Sequence, residues 1–323
     1  MKLSILVNVQ YNKCSHLKQK KSLCVQMKKM MKQLLIFALV FLLISCQKQN
    51  TMHIDTILSF HSQYIQDRNI DIWLPNGYNS KERYQVLYMH DGQMLFDSTK
   101  TWNHQSWNAG VVVQKLINQK EIPPTIIVAI SNIQDYRTSD YWPQKAFELL
   151  PRTVQDSLIK YRLHRYPESD NYLKFIVEEL KPYIDKTYST RPGKKHTFIA
   201  GSSMGGLISM YAICEYPDIF YSAACLSTHW IGGYKKNNLI PSTFVTYIQR
   251  HMPSPQSHKI YFDHGTKTLD ANYEAYQESV NKLFESAGYN STNLMSIVFK
   301  GDKHKEKYWA QRLHIPLQFI LNN

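Results

Sequence analysis

The chain has 323 residues and a formal net charge of +13, but eight lysines and no acidic residue fall in residues 1–45, leaving 30 basic against 25 acidic residues elsewhere. That is an ordinary surface, which excludes the basic, aromatic-interleaved stripe of a nucleic-acid binder, and the length allows one large α/β domain or two small ones. Cys14, Cys24, Cys46, Cys214 and Cys225 are not spaced as zinc ligands, and Cys214 and Cys225, in apolar runs, read as buried thiols.

Met30-Met31-Lys32-Gln33 leads into an eleven-residue apolar run, Leu34 to Ile44, followed by Ser45-Cys46-Gln47. A basic region, an apolar segment too short to span a bilayer and a small residue before the cut make residues 1–45 a secretory leader, with Met27, Met30 or Met31 as alternative starts. Leu43-Ile44-Ser45-Cys46 resembles the bacterial lipobox, whose cysteine is lipidated. By that resemblance Cys46 is a membrane anchor in the cell envelope; residues 46–56 read as that cysteine and its tether, and residues 57–323 as a single domain.

Strands are expected at Ile54–His61 and Ile70–Pro75, where apolar and polar residues alternate as in an antiparallel edge hairpin. Gln85–His90 is more continuously apolar and ends in Asp91-Gly92-Gln93. A helix is expected over Trp102–Asn118 with Trp107, Val111, Val112, Leu116 and Ile117 buried, then an apolar strand, Pro124–Ile130, of the kind covered on both faces. Residues 135–166 show no periodicity and read as a long substrate-side loop, with Tyr141 and Trp142 as candidate substrate contacts. Ser169 or Asp170 is expected to cap a helix whose Leu173, Ile176, Val177, Leu180 and Ile184 repeat at helical spacing. Phe220–Ser227 is a strand running into Thr228-His229-Trp230, where His229 and Trp230 are further candidate contacts. A helix over Ile240–His251, a strand Lys259–Asp263, a helix Ala271–Ser286, a strand Met295–Phe299 and a helix Glu306–Leu321 interrupted at Pro316 complete the chain. This alternation predicts an α/β architecture: one doubly wound, mostly parallel sheet with antiparallel N-terminal edge strands.

The chemistry centres on Gly201-Ser202-Ser203-Met204-Gly205, a G-x-S-x-G turn between an apolar strand and a helix. The glycines allow a turn tight enough to lift the Ser203 hydroxyl clear of the sheet edge, and the Met204 amide, first in the helix, can face an oxyanion. The Gln93 backbone, or that of Gly92, is the expected second donor. A serine hydroxyl needs a base, and the base an orienting acid, in the chain order Ser, acid, His. His304 follows the last strand and is the expected base; His229 comes too early and His314 lies inside the terminal helix. For the acid, Asp270 stands beyond the Gly265-Thr266 turn, where it could also cap the helix at Ala271, and Asp263 at the strand's end is second choice. Asp302 is close to His304 in sequence but breaks the order.

Leu74-Pro75-Asn76-Gly77-Tyr78, Tyr88 to Asp97, Gly201 to Leu207, Tyr216-Pro217-Asp218-Ile219-Phe220 and Gly301-Asp302-Lys303-His304 together resemble an esterase family of α/β-hydrolases. That family includes enterochelin esterases, feruloyl and acetyl-xylan esterases and S-formylglutathione hydrolase, and the resemblance covers residues 57–320. It implies an α/β-hydrolase fold, no metal or cofactor, and Ser203 and His304 as triad members. In relatives the acid often stands where this chain has Thr268, two residues before Asp270. The expectation is a serine ester hydrolase acting through an acyl-enzyme on carbohydrate-linked or siderophore esters outside the cytoplasm. A hydrolase fold used only for binding, and an acyltransferase, are the alternatives.

Overall fold

The computed structural model describes residues 29–33, 52–233 and 235–322. The chain divides into two units, Met1–Thr51 and Met52–Asn323. Of the first, only residues 29–33 are described, and they are helical; the rest of the expected leader, and Cys46, lie outside the described residues. No helix among the described residues is long and apolar enough to cross a membrane.

The second unit is built on one eight-stranded sheet. Its strands are β1 (His53–Phe60), β2 (Arg68–Leu74), β3 (Gln85–His90), β4 (Thr125–Ile130), β5 (Thr197–Ser202), β6 (Ser222–Leu226), β7 (Lys259–Lys267) and β8 (Leu294–Lys303), in the order β1-β2-β4-β3-β5-β6-β7-β8. β1 pairs with β2, and β2 with β4, antiparallel; every other pairing is parallel. His53 already faces Leu74 across the β1–β2 ladder, so the folded domain starts inside the stretch expected to be tether.

Residues of period two divide between two cores. Val86, Tyr88, Ile126 and Val128 point to one face, and Leu87, Met89, Ile127 and Ala129 to the other. All of these are within 2 % of full burial, as a parallel sheet covered on both sides requires. The second face is covered by α1 (Ala109–Asn118) and by α10 (Glu306–Arg312) and α11 (His314–Leu321). The first is covered by α5 (Ser169–Lys174), α6 (Lys181–Thr187), α7 (Met204–Glu215), α8 (Leu239–His251) and α9 (Glu274–Ser286). α7 is buried at every position from Met204 to Cys214, which explains why its sequence is apolar on all sides. The chain leaves β3 for β4 on one side, and after β5 it continues to β6 on the other. The border of β3 and β5 is therefore a topological switch point, where an open α/β sheet leaves a crevice beyond its carboxyl ends.

Several expectations need correction. The helix expected from Trp102 starts only at Ala109, because Asn108 at its N-cap has φ 50° and cannot continue the helix backwards. Val113 is buried instead of Val111, which is 56 % exposed. The expected loop over 135–166 is mostly helical: α2 (Gln134–Tyr141), α3 (Gln144–Glu148), α4 (Arg152–Leu158) and a π-type turn Ile159–Leu163. Pro143 and Pro151 stand at the N-caps of α3 and α4 and cut the segment into helices too short to show a period. Glu168 occupies the N-cap before α5. The Ser169 hydroxyl accepts from Gln144 N at 2.9 Å, and Asp170 accepts from Tyr211, so neither caps the helix. β7 and β8 run on to Lys267 and Lys303 through a register shift. The terminal helix breaks at Leu313, between α10 and α11, and Pro316 lies within the first turn of α11.

Candidate active site

Ser203 joins β5 to α7 with φ 57° and ψ −120°, a strained backbone for a residue with a Cβ. Its neighbours make the turn possible: a Cβ on Gly201 would sit 2.7 Å from the Gly205 backbone. Ser203 N donates to Leu226 O at 2.9 Å, and its carbonyl accepts from Leu207 N at 3.1 Å and His229 N at 3.2 Å. The elbow is thus pinned from β6 while its hydroxyl stays on the open side.

His304 follows directly on β8. Its Nε2 lies 2.8 Å from Ser203 Oγ and its Nδ1 2.5 Å from Asp270 Oδ1. Thr268, at φ 57°, accepts the His304 backbone N–H on its Oγ1 at 2.9 Å. So Thr268 fixes the backbone of His304. Asp270 lies in a 3-10 turn, Thr268–Asn272, and is fully buried; Oδ2 accepts from Gly265 N at 2.7 Å and from Ser227 Oγ at 2.8 Å. It does not cap the following helix. Burial pushes its pKa up, but the His304 contact and these donors outweigh burial and hold the carboxyl below the usual carboxylate range. An ionised Asp270 requires the proton of the neutral imidazole on Nδ1, which leaves Nε2 free to accept from Ser203.

The second-choice acid is placed elsewhere. Asp263 is fully buried in a two-pronged contact with Arg312, at 2.8 Å to Nη2 and 3.0 Å to Nε, and also accepts from Tyr261 OH at 2.9 Å. Asp302 binds Arg312 Nη1 at 2.8 Å. Neither carboxylate is turned to His304.

A cleft of 940 Å³ opens over Ser203 and His304, lined by Gln93, Trp102, Asn103, Trp107, Arg137 and Trp309 among others. Gln93 sits in the 3-10 turn Gly92–Met94, whose internal bonds are made by Met94 N and Leu95 N. Its own N–H therefore precedes the bonded part of the turn, as the Met204 N–H does at the start of α7. Gly92 lies against β4, where a Cβ would meet the Ala129 backbone at 2.6 Å.

The aromatic candidates fall outside the cleft. Trp142 is fully buried, donates to Gly232 O at 2.9 Å and packs on Phe147 and Phe244. Trp230 donates to Gln277 at 2.8 Å and packs on Phe262. Tyr141 is buried beneath Arg137. Their sequence neighbourhood, rich in aromatics, carries no sign of which face a short helix presents. His229 is closer: besides its bond to the Ser203 carbonyl, its Nδ1 pairs with Tyr273 OH at 2.9 Å, and burial lowers its pKa to about 3, so it is neutral.

Sequence reasoning missed Trp102, Trp107 and Trp309 as the cleft's aromatics, and it missed an ion pair at its edge. Arg137 from α2 grips Asp91 with Nε and Nη2 at 2.7 Å each, and Asn132 Nδ2 reaches the same carboxylate at 2.6 Å. Burial raises the Asp91 pKa, and Arg137 more than reverses this, so the pair is charged. Only the position of Asp91 just after a buried strand hinted at it.

The family model described as "Putative esterase" matches residues 62–319. The chain is 26% identical over 249 residues to an endo-1,4-beta-xylanase/feruloyl esterase of Xylanibacter ruminicola, which covers 75% of this chain but 28% of that one. It is 26% identical over 158 residues to the ferri-bacillibactin esterase BesA of Bacillus subtilis, 46% of this chain and 49% of that one. A ferulic acid esterase of Anaeromyces mucronatus superposes with a TM-score of 0.59 at 18% identity, over 86% of this chain and 93% of its own. The chain therefore belongs to the esterase family and is a serine carboxylic-ester hydrolase on an α/β-hydrolase fold.

Proposed function

We propose that Ser203, His304 and Asp270 are the catalytic triad and that the enzyme works through an acyl-enzyme. The observation that carries this is the unbroken chain Ser203 Oγ, His304 Nε2, His304 Nδ1, Asp270 Oδ1 at 2.8 and 2.5 Å at the floor of the cleft. Ser203 Oγ bonds to the ester carbonyl carbon as its proton passes to His304 Nε2. The carbonyl oxygen takes up the charge between the Met204 and Gln93 amides. Collapse expels the alcohol, which takes the proton back from His304, and water repeats the step to release the acid. Labelling by an organophosphonate tests this: a single adduct on Ser203 supports it, and labelling elsewhere or nowhere in folded protein contradicts it.

For the substrate we propose a carbohydrate-linked ester. Trp102, 82 % exposed at the cleft, offers a face on which a sugar ring can stack, and Asn103 and Gln105 supply polar partners beside it. The similarity to a feruloyl esterase supports the same reading, and that to a siderophore esterase keeps a siderophore ester as the second. Product release from feruloylated or acetylated xylan, set beside a catecholate siderophore, separates the two. We further propose that Cys46 carries a lipid and holds the domain outside the cytoplasm. Cys46→Ala should then move the protein from the membrane to the soluble fraction, and unchanged fractionation would refute it.

A further inference from the structure

Asp263 and Arg312 are both buried and have no part in the triad proposed above. Their contacts lead back to it. Arg312 Nη2 donates to Ser227 Oγ at 3.0 Å, and Trp309 Nε1 donates to the same oxygen at 2.9 Å. Ser227 Oγ lies 2.8 Å from Asp270 Oδ2. Indole and guanidinium nitrogens only donate, so both lone pairs of the Ser227 oxygen are taken and its hydrogen has one place to go, the Asp270 carboxylate. Asp263 holds the guanidinium from behind and accepts the Ser227 backbone N–H at 3.1 Å; Asp302 holds its third nitrogen. Ser227 itself is fully buried with φ 43°, a backbone cost that its position must justify.

We propose that Ser227 is a positioning residue for the hydrolysis: its hydroxyl, oriented by Trp309 and Arg312, is a one-way donor that fixes the Asp270 carboxylate and draws charge from it. The inference rests on Asp270 being the triad acid. Gly265 N–H and Ser227 O–H together hold Oδ2, so that Oδ1 stays aimed at His304. Without the hydroxyl, Asp270 turns more freely and presents more charge to the imidazole.

The test is Ser227→Ala, with kcat, KM and the pH profile of kcat/KM measured on a soluble ester. The charged and titratable groups facing the His304–Asp270 pair are Tyr273, His229 with the arginines Arg137 and Arg162 that reach it, Asp91 paired with Arg137, Lys305 and Glu306 beside His304 in the cleft, and Arg312 with its two carboxylates. None of these groups is itself substituted, and Arg312, though it loses Ser227 as an acceptor, is still held by Asp263 and Asp302, so a moved acid limb reports the missing hydroxyl. The expected result is kcat lower by about ten-fold or more, KM within about two-fold, and an acid limb shifted to higher pH, because the less stabilised carboxylate holds the imidazolium more tightly. Should the alanine variant not fold, Ser227→Cys keeps a side chain at the position with only a weak donor and carries the same readout. An acid limb that stays in place or moves down in a folded variant overturns the proposal. Ser203→Ala is run alongside: turnover near the wild-type rate there would sink the triad itself, whereas a fall of several orders of magnitude together with an unmoved Ser227 profile would sink only the role of Ser227.

Discussion

Two aspartates seven residues apart, Asp263 within β7 and Asp270 in the turn after it, both end up fully buried, and only their partners distinguish them. Asp270 is surrounded by the imidazole and two neutral donors, while Asp263 is locked to a guanidinium. Their substitutions should therefore fail in different ways. Asp270→Asn keeps the shape but can donate to Nδ1, favouring the wrong tautomer; kcat should fall by roughly four orders of magnitude, with little change in melting temperature. Asp263→Asn removes one partner of a buried pair and should cost about 3–5 kcal/mol of stability in a denaturant titration. A larger loss of kcat in Asp263→Asn than in Asp270→Asn would reverse the assignment. At this scale chain order singled out Ser203 and His304, and the fold brings them to 2.8 Å of each other. The sequence could not show that Asp91 meets Arg137, or that Arg312 reaches back to Asp263, since nothing in local spacing encodes a contact between distant elements.

The β5–turn–α7 unit was legible because three local signals agree: an apolar run, glycines flanking the serine and a helix former after them. Its tolerance is small. Gly201→Ala would place a Cβ 2.7 Å from the Gly205 backbone, so α7 must shift away from the strand and carry the Met204 amide with it. We expect activity to fall by at least about 100-fold with a lower melting temperature, because the mutation adds strain where neither side is a flexible side chain. Wild-type kcat in Gly201→Ala would show that the turn has slack the geometry denies. The α2–α4 segment shows the opposite case, for its helices are shorter than the window in which a 3.6-residue period can be recognised. The exposed edge strand β8 ends in Lys300-Gly301-Asp302-Lys303, too polar to read as strand, yet its pairing with β7 continues to Lys303 and delivers His304 to the site.

Across the whole molecule, the strand–helix alternation implied a doubly wound sheet, and the switch point between β3 and β5 explains why the cleft lies where Asp91–Gln93 and Ser203 meet. The two cores also make the fold sensitive to acid. His90 and His229 are buried and neutral, with pKa values lowered by burial to about 3. An unfolded chain protonates them near pH 6.5, whereas the folded chain resists until about 3, so they favour the fold above that window and stability falls as pH drops through it. His229→Gln should flatten the decline of melting temperature between about pH 6.5 and 3; an unchanged slope would mean that His229 is not held neutral.

The most direct measurement is hydrolysis of a short p-nitrophenyl ester by residues 47–323 and by the same protein carrying Ser203→Ala. Turnover in the wild type that falls by several orders of magnitude in the variant is the expected result, since the hydroxyl 2.8 Å from His304 is then the nucleophile. A folded variant that hydrolyses the ester at the wild-type rate would contradict the account at its centre.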